Sequence, residues 1–266
     1  MLIVVCLIFI WMAGSSTSDT VTVKPKTVLY MNLDYDIPER TTEDDIMATM
    51  LSLKDEDSDL SGMNDIIANI DAAAEDPNIS GIFLELSSIG TSPANIEEIR
   101  EHIISFRESG KFVITYGETM AQNAYYLATA GNEIYLTPDG MLDIHGMASQ
   151  VMFYKHLLDK LDIEMQIIRG PNNKFKSAVE PYFLDKMSDA NREQMEKLLN
   201  SIWYKILTDI NVSRGISINR INELADNLTL TFDAKVALEE KFVDGLAYRD
   251  QIISRIKTLA GIQPSK

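Results

Sequence analysis

The run Gly110-Lys111-Phe112-Val113-Ile114-Thr115-Tyr116-Gly117, followed by Ala124-Tyr125-Tyr126-Leu127-Ala128 and then Glu133-Ile134-Tyr135-Leu136-Thr137-Pro138-Asp139-Gly140, decides the fold. Phe112 to Tyr116 and Glu133 to Leu136 are short runs of β-branched and aromatic residues bounded by glycine, proline or aspartate, the signature of buried strands. The segment between them, from about Ala121 to Ala130, has room for only a short helix. Upstream the same alternation repeats. Val28 to Leu33 reads as a first strand. Ile66, Ile67, Ile70 and Ala74 recur at helical spacing and are stopped by Pro77-Asn78. The strand Gly81 to Leu86 follows. Ser92-Pro93 then caps a helix whose buried stripe is Ile96, Ile99, Ile103 and Phe106 and whose end is Gly110. A further helix is predicted near Val151 to Leu161. Strands separated by helices of this length pair mostly in parallel and pack their helices outside the sheet, so the class is α/β.

Beyond Pro181 the character is helical. Met195, Leu198, Leu199, Ile202, Ile206 and Ile210 define a long helix with its charged early turns at Asp189 to Glu196. Shorter helices follow near Asn219 to Asp226 and from the cap Asp233 through Ala237 and Leu238 to Val243, ended by Gly245. A closing helix runs from Tyr248 to Leu259, and Gln263-Pro264-Ser265-Lys266 reads as a frayed end or the start of an interdomain linker. Pro38 to Ser61 mixes acidic residues with scattered leucines, has no clear period, and is expected on the surface. No short-period repeat is present.

Bulk properties narrow the function. The chain has 266 residues, 45% of them hydrophobic, enough for a substantial core. With 40 acidic against 24 basic residues the formal charge is −16, and no basic patch is interleaved with aromatics, so nucleic acid is not an expected partner. The lone cysteine, Cys6, excludes an internal disulfide framework and argues against a cysteine metal site. No cofactor-binding and no metal residues are assigned, since phosphate-cradling glycine loops are absent and His102, His145 and His156 are scattered without zinc-site spacing. Residues 1–14 are nearly all apolar yet shorter than the roughly 20 residues that span a bilayer. They are read as a truncated transmembrane anchor or signal-like segment, with a Ser/Thr-rich linker in residues 15–27.

The chemistry is sought at Phe175-Lys176-Ser177-Ala178-Val179-Glu180-Pro181. A lysine serves as a general base when desolvation or a cationic neighbour favours its neutral form, and a flanking ring and hydroxyl suit that task. An average lysine is a solvated surface charge, so the motif by itself does not decide. Its context does. The segments quoted at the outset, together with His145-Gly146-Met147 and Ser188 to Met195, stand in an order and spacing that closely resemble the amino-terminal half of the long form of the signal peptide peptidase A (protease IV) family. The resemblance runs roughly from Val28 to Ala260.

That resemblance implies a crotonase/Clp-protease-like spiral of β-β-α units over residues 28–262, with residues 188–262 as its helical carboxy-terminal extension. It implies a serine-lysine endopeptidase that degrades cleaved signal peptides or other short apolar peptides. Lys176 matches the general base, and Ser177 an orienting partner for the lysine. Ser177 is not placed as the nucleophile, because neighbouring residues on an extended segment point apart. Glu180 and Pro181 are expected to shape the loop. The turn where a nucleophile would fall by analogy reads Met120-Ala121-Gln122-Asn123-Ala124, without serine. The serine is therefore expected from a carboxy-terminal, serine-bearing partner domain. A homo-oligomer and a membrane anchor, with the catalytic domain on the extracytoplasmic side of the cell membrane, are the further partner and localisation expectations. Gly90, in Ser87-Ser88-Ile89-Gly90, resembles part of a glycine-bearing loop. The stretch Arg169-Gly170-Pro171-Asn172-Asn173-Lys174 is longer than the glycine turn usual before this motif, which raises the question of the loop's register. The competing function is a non-catalytic scaffold or peptide-binding pseudoenzyme of the same fold.

Overall fold

The computed structural model describes residues 22–41 and 61–262. Five parallel strands form one sheet in the order β1 (Thr27–Asn32), β2 (Ile79–Glu85), β3 (Phe112–Met120), β4 (Glu133–Leu142) and β5 (Gly245–Leu246). Between them run α1 (Met63–Glu75), α2 (Pro93–Glu108) and α3 (Gln122–Ala128). Sequential order means that every crossover steps the same way, and right-handed crossovers then put their helices on one face, so the chain winds as a single spiral. The core records this. Ile82, Leu84, Val113, Ile134 and Leu136 of the strands share one cluster with Ile66 and Ile70 of α1, Ile99 and Ile103 of α2 and Leu127 of α3. The alternate residues Phe83, Ile114 and Tyr116 point to the opposite face, where Ile252 and Ile256 of α9 (Arg249–Leu259) cover them. Both faces are therefore dry, which is why β2 and β3 read as continuous apolar runs.

Local signals position these helices. Ser92 accepts the Asn95 amide at 3.2 Å, Pro93 stands in the first turn, and Gly110 takes φ +86° just beyond the end of α2. Ile99 and Ile103 are fully buried, and each such side chain stabilises the fold by roughly 1.5–3 kcal/mol relative to an exposed one.

β3 and β4 continue past a break and pair a second time, as a β-β-α unit requires. After the register shift between Gly117 and Thr119, Thr119 pairs with Met141 and Met120 with Leu142. Asp36 forms an isolated parallel bridge to Gly90. Gly140 permits this approach, since a Cβ there would lie 2.5 Å from the Glu118 carbonyl oxygen. The sequence reading ended β4 at Leu136, because Pro138 to Gly140 resemble a strand stop.

Beyond β4 come α4 (Lys155–Lys160) and α5 (Glu180–Phe183), then α6 (Asp189–Arg214), α7 (Ile218–Asp226) and α8 (Ala234–Glu239). The expected helix over Val151 to Leu161 is cut to α4, which buries no residue. With no core beneath it, tertiary burial does not extend it. In α6 the sequence stripe is fully buried only toward its end, at Ile206 and Ile210, where Leu207 joins them, whereas Leu198 is exposed. Polar staples join this helical part to the sheet. Arg214 bridges the Lys241 carbonyl and Asp244, Asp244 accepts the Ile134 amide at 2.7 Å, and the buried Tyr125 hydroxyl donates to the Phe242 carbonyl at 2.8 Å.

The membrane expectation is corrected. Among the described residues no helix is long and apolar enough to cross a membrane. The one of sufficient length, α6, carries Asp189, Arg192, Glu193, Glu196 and Lys197 in its first half, and such charges are costly in hydrocarbon. The anchor assigned to residues 1–14, the Ser/Thr-rich linker from Ser15 to Thr20, most of the surface excursion after Pro38 and the frayed end from Gln263 lie outside the described residues. The membrane-anchored, extracytoplasmic placement is withdrawn.

Candidate active site

Residues 145–187 follow the sheet as an arm with many exposed large apolar side chains, among them Met152, Leu157, Ile163 and Ile168. The arm holds itself together by a few contacts. The Tyr154 amide donates to the Pro181 carbonyl at 2.7 Å, and the Tyr154 and Tyr182 rings stack with centroids 6.1 Å apart. Lys176 sits in this arm.

Lys176 is exposed and lines an open cavity of about 550 Å³ with Ile168, Arg169, Phe175, Ser177 and Val179. The extra residues before it do not hang loose. The Lys176 amide donates to the Asn173 carbonyl at 3.0 Å, and Arg169 donates from one terminal nitrogen to the Asn173 carbonyl at 2.9 Å and to the Lys176 carbonyl at 2.7 Å. Asn172, with φ +60°, supplies the left-handed turn that closes the loop. Ser177 is half-buried, and its carbonyl accepts the Glu180 amide at 2.9 Å.

Glu180 does not serve as counter-ion to the lysine. It is 2% exposed and accepts hydrogen bonds from Ser188 Oγ at 2.6 Å, the Ser188 amide at 3.2 Å and Asn191 Nδ2 at 3.0 Å. Burial pushes this carboxyl up, but the bonds from Ser188 and Asn191, with the Arg169 charge behind them, outweigh it and hold Glu180 below the usual carboxylate range. Ser188 in turn caps α6 by accepting the Asn191 amide. The motif is thus latched to the start of α6.

The turn that opens α3 is the position where, by the family resemblance, a nucleophile would fall. Two amides occupy it. Gln122 Nε2 donates to the Gly146 carbonyl at 3.1 Å, while its Oε1 accepts the His145 amide at 3.1 Å and the Gly146 amide at 2.9 Å. Asn123 donates to the Ile89 carbonyl. The neighbouring loop is equally committed. The Gly90 amide donates to the Tyr35 carbonyl at 3.0 Å, and Asp34 accepts the Ser87 and Ser88 amides at 2.5 and 3.1 Å. Such donors are spent on the protein itself and are not aimed at an oxyanion in this structure.

Each histidine meets one aspartate: His102 Nδ1 is 2.7 Å from Asp71, His145 Nδ1 3.1 Å from Asp143, and His156 Nε2 3.3 Å from Asp185. Among the described residues no group of three His, Cys, Asp or Glu could hold a metal ion. Sequence reasoning missed Arg169 and the acceptor role of Glu180 toward Ser188 and Asn191. The first carried a readable signal, an arginine seven residues before the lysine and just ahead of a Gly-Pro-Asn-Asn turn.

The profile of peptidase family S49 matches residues 105–263, a span that holds the second half of the sheet, the arm and the carboxy-terminal helices. The chain belongs to peptidase family S49. It is 38% identical over 190 residues to "Protease 4" of Salmonella typhi, an alignment covering 69% of this chain and 30% of that protein. To "Serine protease SPPA, chloroplastic" of Arabidopsis thaliana it is 27% identical over 198 residues, 74% of this chain and 29% of the relative. The chain therefore spans under a third of the length of these S49 relatives. Among solved structures it is similar to an enoyl-CoA hydratase/isomerase family protein from Silicibacter pomeroyi, with a TM-score of 0.45 and 14% identity, covering 90% of this chain and 79% of that one. The sequential parallel spiral, with the second pairing of β3 and β4, is a crotonase/Clp-protease-like α/β fold.

Proposed function

We propose that this chain is the lysine-donating half of a serine-lysine endopeptidase acting on signal peptides or other short apolar peptides, and that it is inactive until a serine-bearing domain joins it. One observation carries the reading: Lys176 lines an open, partly apolar cavity while the only carboxylate of its motif is turned away to Ser188 and Asn191. Ser177 is assigned the orienting role beside it. The amides of Gln122 and Asn123 fill the turn where this chain would otherwise present its own nucleophile. Such a half-site needs a partner surface, and the exposed apolar side chains of residues 145–187 supply one, for the serine-bearing domain and for assembly into a homo-oligomer.

The test compares the chain alone with a protein that unites it with a serine-bearing domain. Alone, it should leave a fluorogenic apolar peptide uncut and take no label from a serine-reactive phosphonate. In the united protein, Lys176→Met keeps the bulk of the side chain but removes proton transfer, which is worth about 10²- to 10⁴-fold. Turnover should fall by that factor with the fold intact. An unchanged kcat in Lys176→Met refutes the general-base role, and stoichiometric phosphonate labelling of the chain alone refutes the half-site. A non-catalytic scaffold is the second reading. It is favoured by the committed donors at Gly90 and Gln122, and united-protein activity independent of this chain would establish it.

A further inference from the structure

We infer that Arg169 is the positioning residue that sets where Lys176 stands, an inference that rests on Lys176 being the base. Three bonds close the loop from 169 to 176: the two from Arg169 to the carbonyls of Asn173 and Lys176, and the Lys176 amide to the Asn173 carbonyl. The guanidinium carbon lies 5.7 Å from the centroid of the Phe183 ring on α5, so the same side chain ties the loop to the element that follows it. Its charge also acts on Glu180, the residue that latches α5 to α6. Arg169, the first residue of the loop, thus touches both its far end and the helix behind it. Removing it frees the backbone of Lys176 to move relative to Glu180.

The chemistry of the site argues against an ordinary packing role. The Arg169 Nε is buried without a partner among the described residues. A buried donor without an acceptor is destabilising, and an apolar side chain could cover Phe183 without that penalty. The guanidinium supplies one nitrogen directed at two carbonyls while its central carbon stands 5.7 Å from the Phe183 ring centroid. The loop that looked too long in sequence is, by this account, held in register by its first residue. Because it acts through the Lys176 backbone and not on substrate, Arg169 should affect the chemical step more than binding.

The experiment uses the protein that unites this chain with a serine-bearing domain, and a fluorogenic apolar peptide. Displacement of a catalytic group by about 1 Å costs on the order of 10²-fold, so Arg169→Ala should lower kcat by roughly 10- to 100-fold with little change in KM. Arg169→Lys, which keeps the charge without the planar fork, should not restore it, whereas millimolar guanidinium ion added to Arg169→Ala should restore part of it. Hydrogen exchange at the Lys176 amide, which reports the closed loop directly, should speed up in both variants. If Lys176→Met is dead while Arg169→Ala and Arg169→Lys turn over like the parent, this inference is wrong and the base assignment stands. If Lys176→Met keeps its turnover, the base assignment itself is wrong. Should Arg169→Ala not fold, Arg169→Lys decides alone: parental kcat and parental exchange at Lys176 overturn the inference.

Discussion

Replacing Glu180 by alanine should unfasten the Lys176 loop without unfolding the sheet. The carboxylate receives three hydrogen bonds, from Ser188 Oγ, the Ser188 amide and Asn191 Nδ2, at 2.6, 3.2 and 3.0 Å. Asn191 is 5% exposed, so its amide would be left buried without this acceptor. Such an orphan costs about 1–3 kcal/mol, and bonds to a charged acceptor contribute about 1.5–3 kcal/mol each without adding in full. A local loss of about 3 kcal/mol is a fair central figure, equal to a roughly 100-fold rise in the open population. Hydrogen exchange should therefore accelerate about 100-fold from Lys176 to Asn191, while amides of β2 and β3 keep their protection because none of these residues enters the core clusters. The pH dependence has a fixed sign. Glu180 is held below its ordinary value of 4.5, and a depressed carboxylate contributes stability that is present above its unfolded pKa and lost as pH falls through its folded one. The parent loop should therefore loosen only as the pH falls below the ordinary carboxylate range, and the alanine variant should lack that transition. Exchange within threefold of the parent across 176–191 would falsify the latch, as would loosening of the parent loop when the pH is raised.

Two further substitutions probe the scaffold. Tyr125→Phe removes a fully buried hydroxyl that donates to the Phe242 carbonyl at 2.8 Å. It should cost about 1–3 kcal/mol in urea unfolding. The cost should be flat between about pH 6 and 9, because burial pushes this phenol far above its ordinary range, and a pH-dependent difference would contradict it. Gly215→Ala places a Cβ at φ +69°, the left-handed residue that ends α6. It should destabilise by about 1 kcal/mol and lower Tm by a few degrees, and an unchanged Tm would show that the end of α6 does not contribute to the global transition.

Those elements whose stops, caps and stripe are all local could be read from sequence. In α2, Ser92, Pro93, Gly110 and the Ile96 to Phe106 stripe lie within the helix or at its ends, and the structure follows them. What escaped depended on distant partners. The extension of β4 to Leu142 needs Glu118 opposite Gly140, and the two-residue β5 exists only because Tyr135 and Leu136 pair with Gly245 and Leu246. The apolar residues at Met195 and Leu198 of α6 have correct helical spacing yet no core beneath them, because periodicity states which residues share a face and not what the face meets. At the candidate site the motif itself was legible by resemblance. Its latch was not, since Ser188 and Asn191 read as an ordinary helix start until Glu180 is seen underneath them.

The direction in which Glu180 spends its hydrogen bonds bears on the chemistry as well as on the fold. A carboxylate paired with a lysine favours the charged form of both, and a lysine so held cannot accept a proton. Four residues after Lys176, Glu180 is the motif's nearest candidate for such a pair. Ser188 and Asn191 divert it, and Arg169, the nearby cation, spends its own donors on backbone carbonyls. The polar groups that fix the loop thus do so through its backbone and its base, leaving the lysine side chain on the cavity side. Shortening the acid at this point should therefore harm the lysine twice, by loosening the loop and by freeing the carboxylate to compete for its amine. This separates Glu180→Asp from Glu180→Ala. The shorter acid keeps a charge that can swing toward Lys176 while losing reach to Asn191, so in a united, serine-bearing protein it should be the more damaging of the two to turnover and the less damaging to hydrogen exchange.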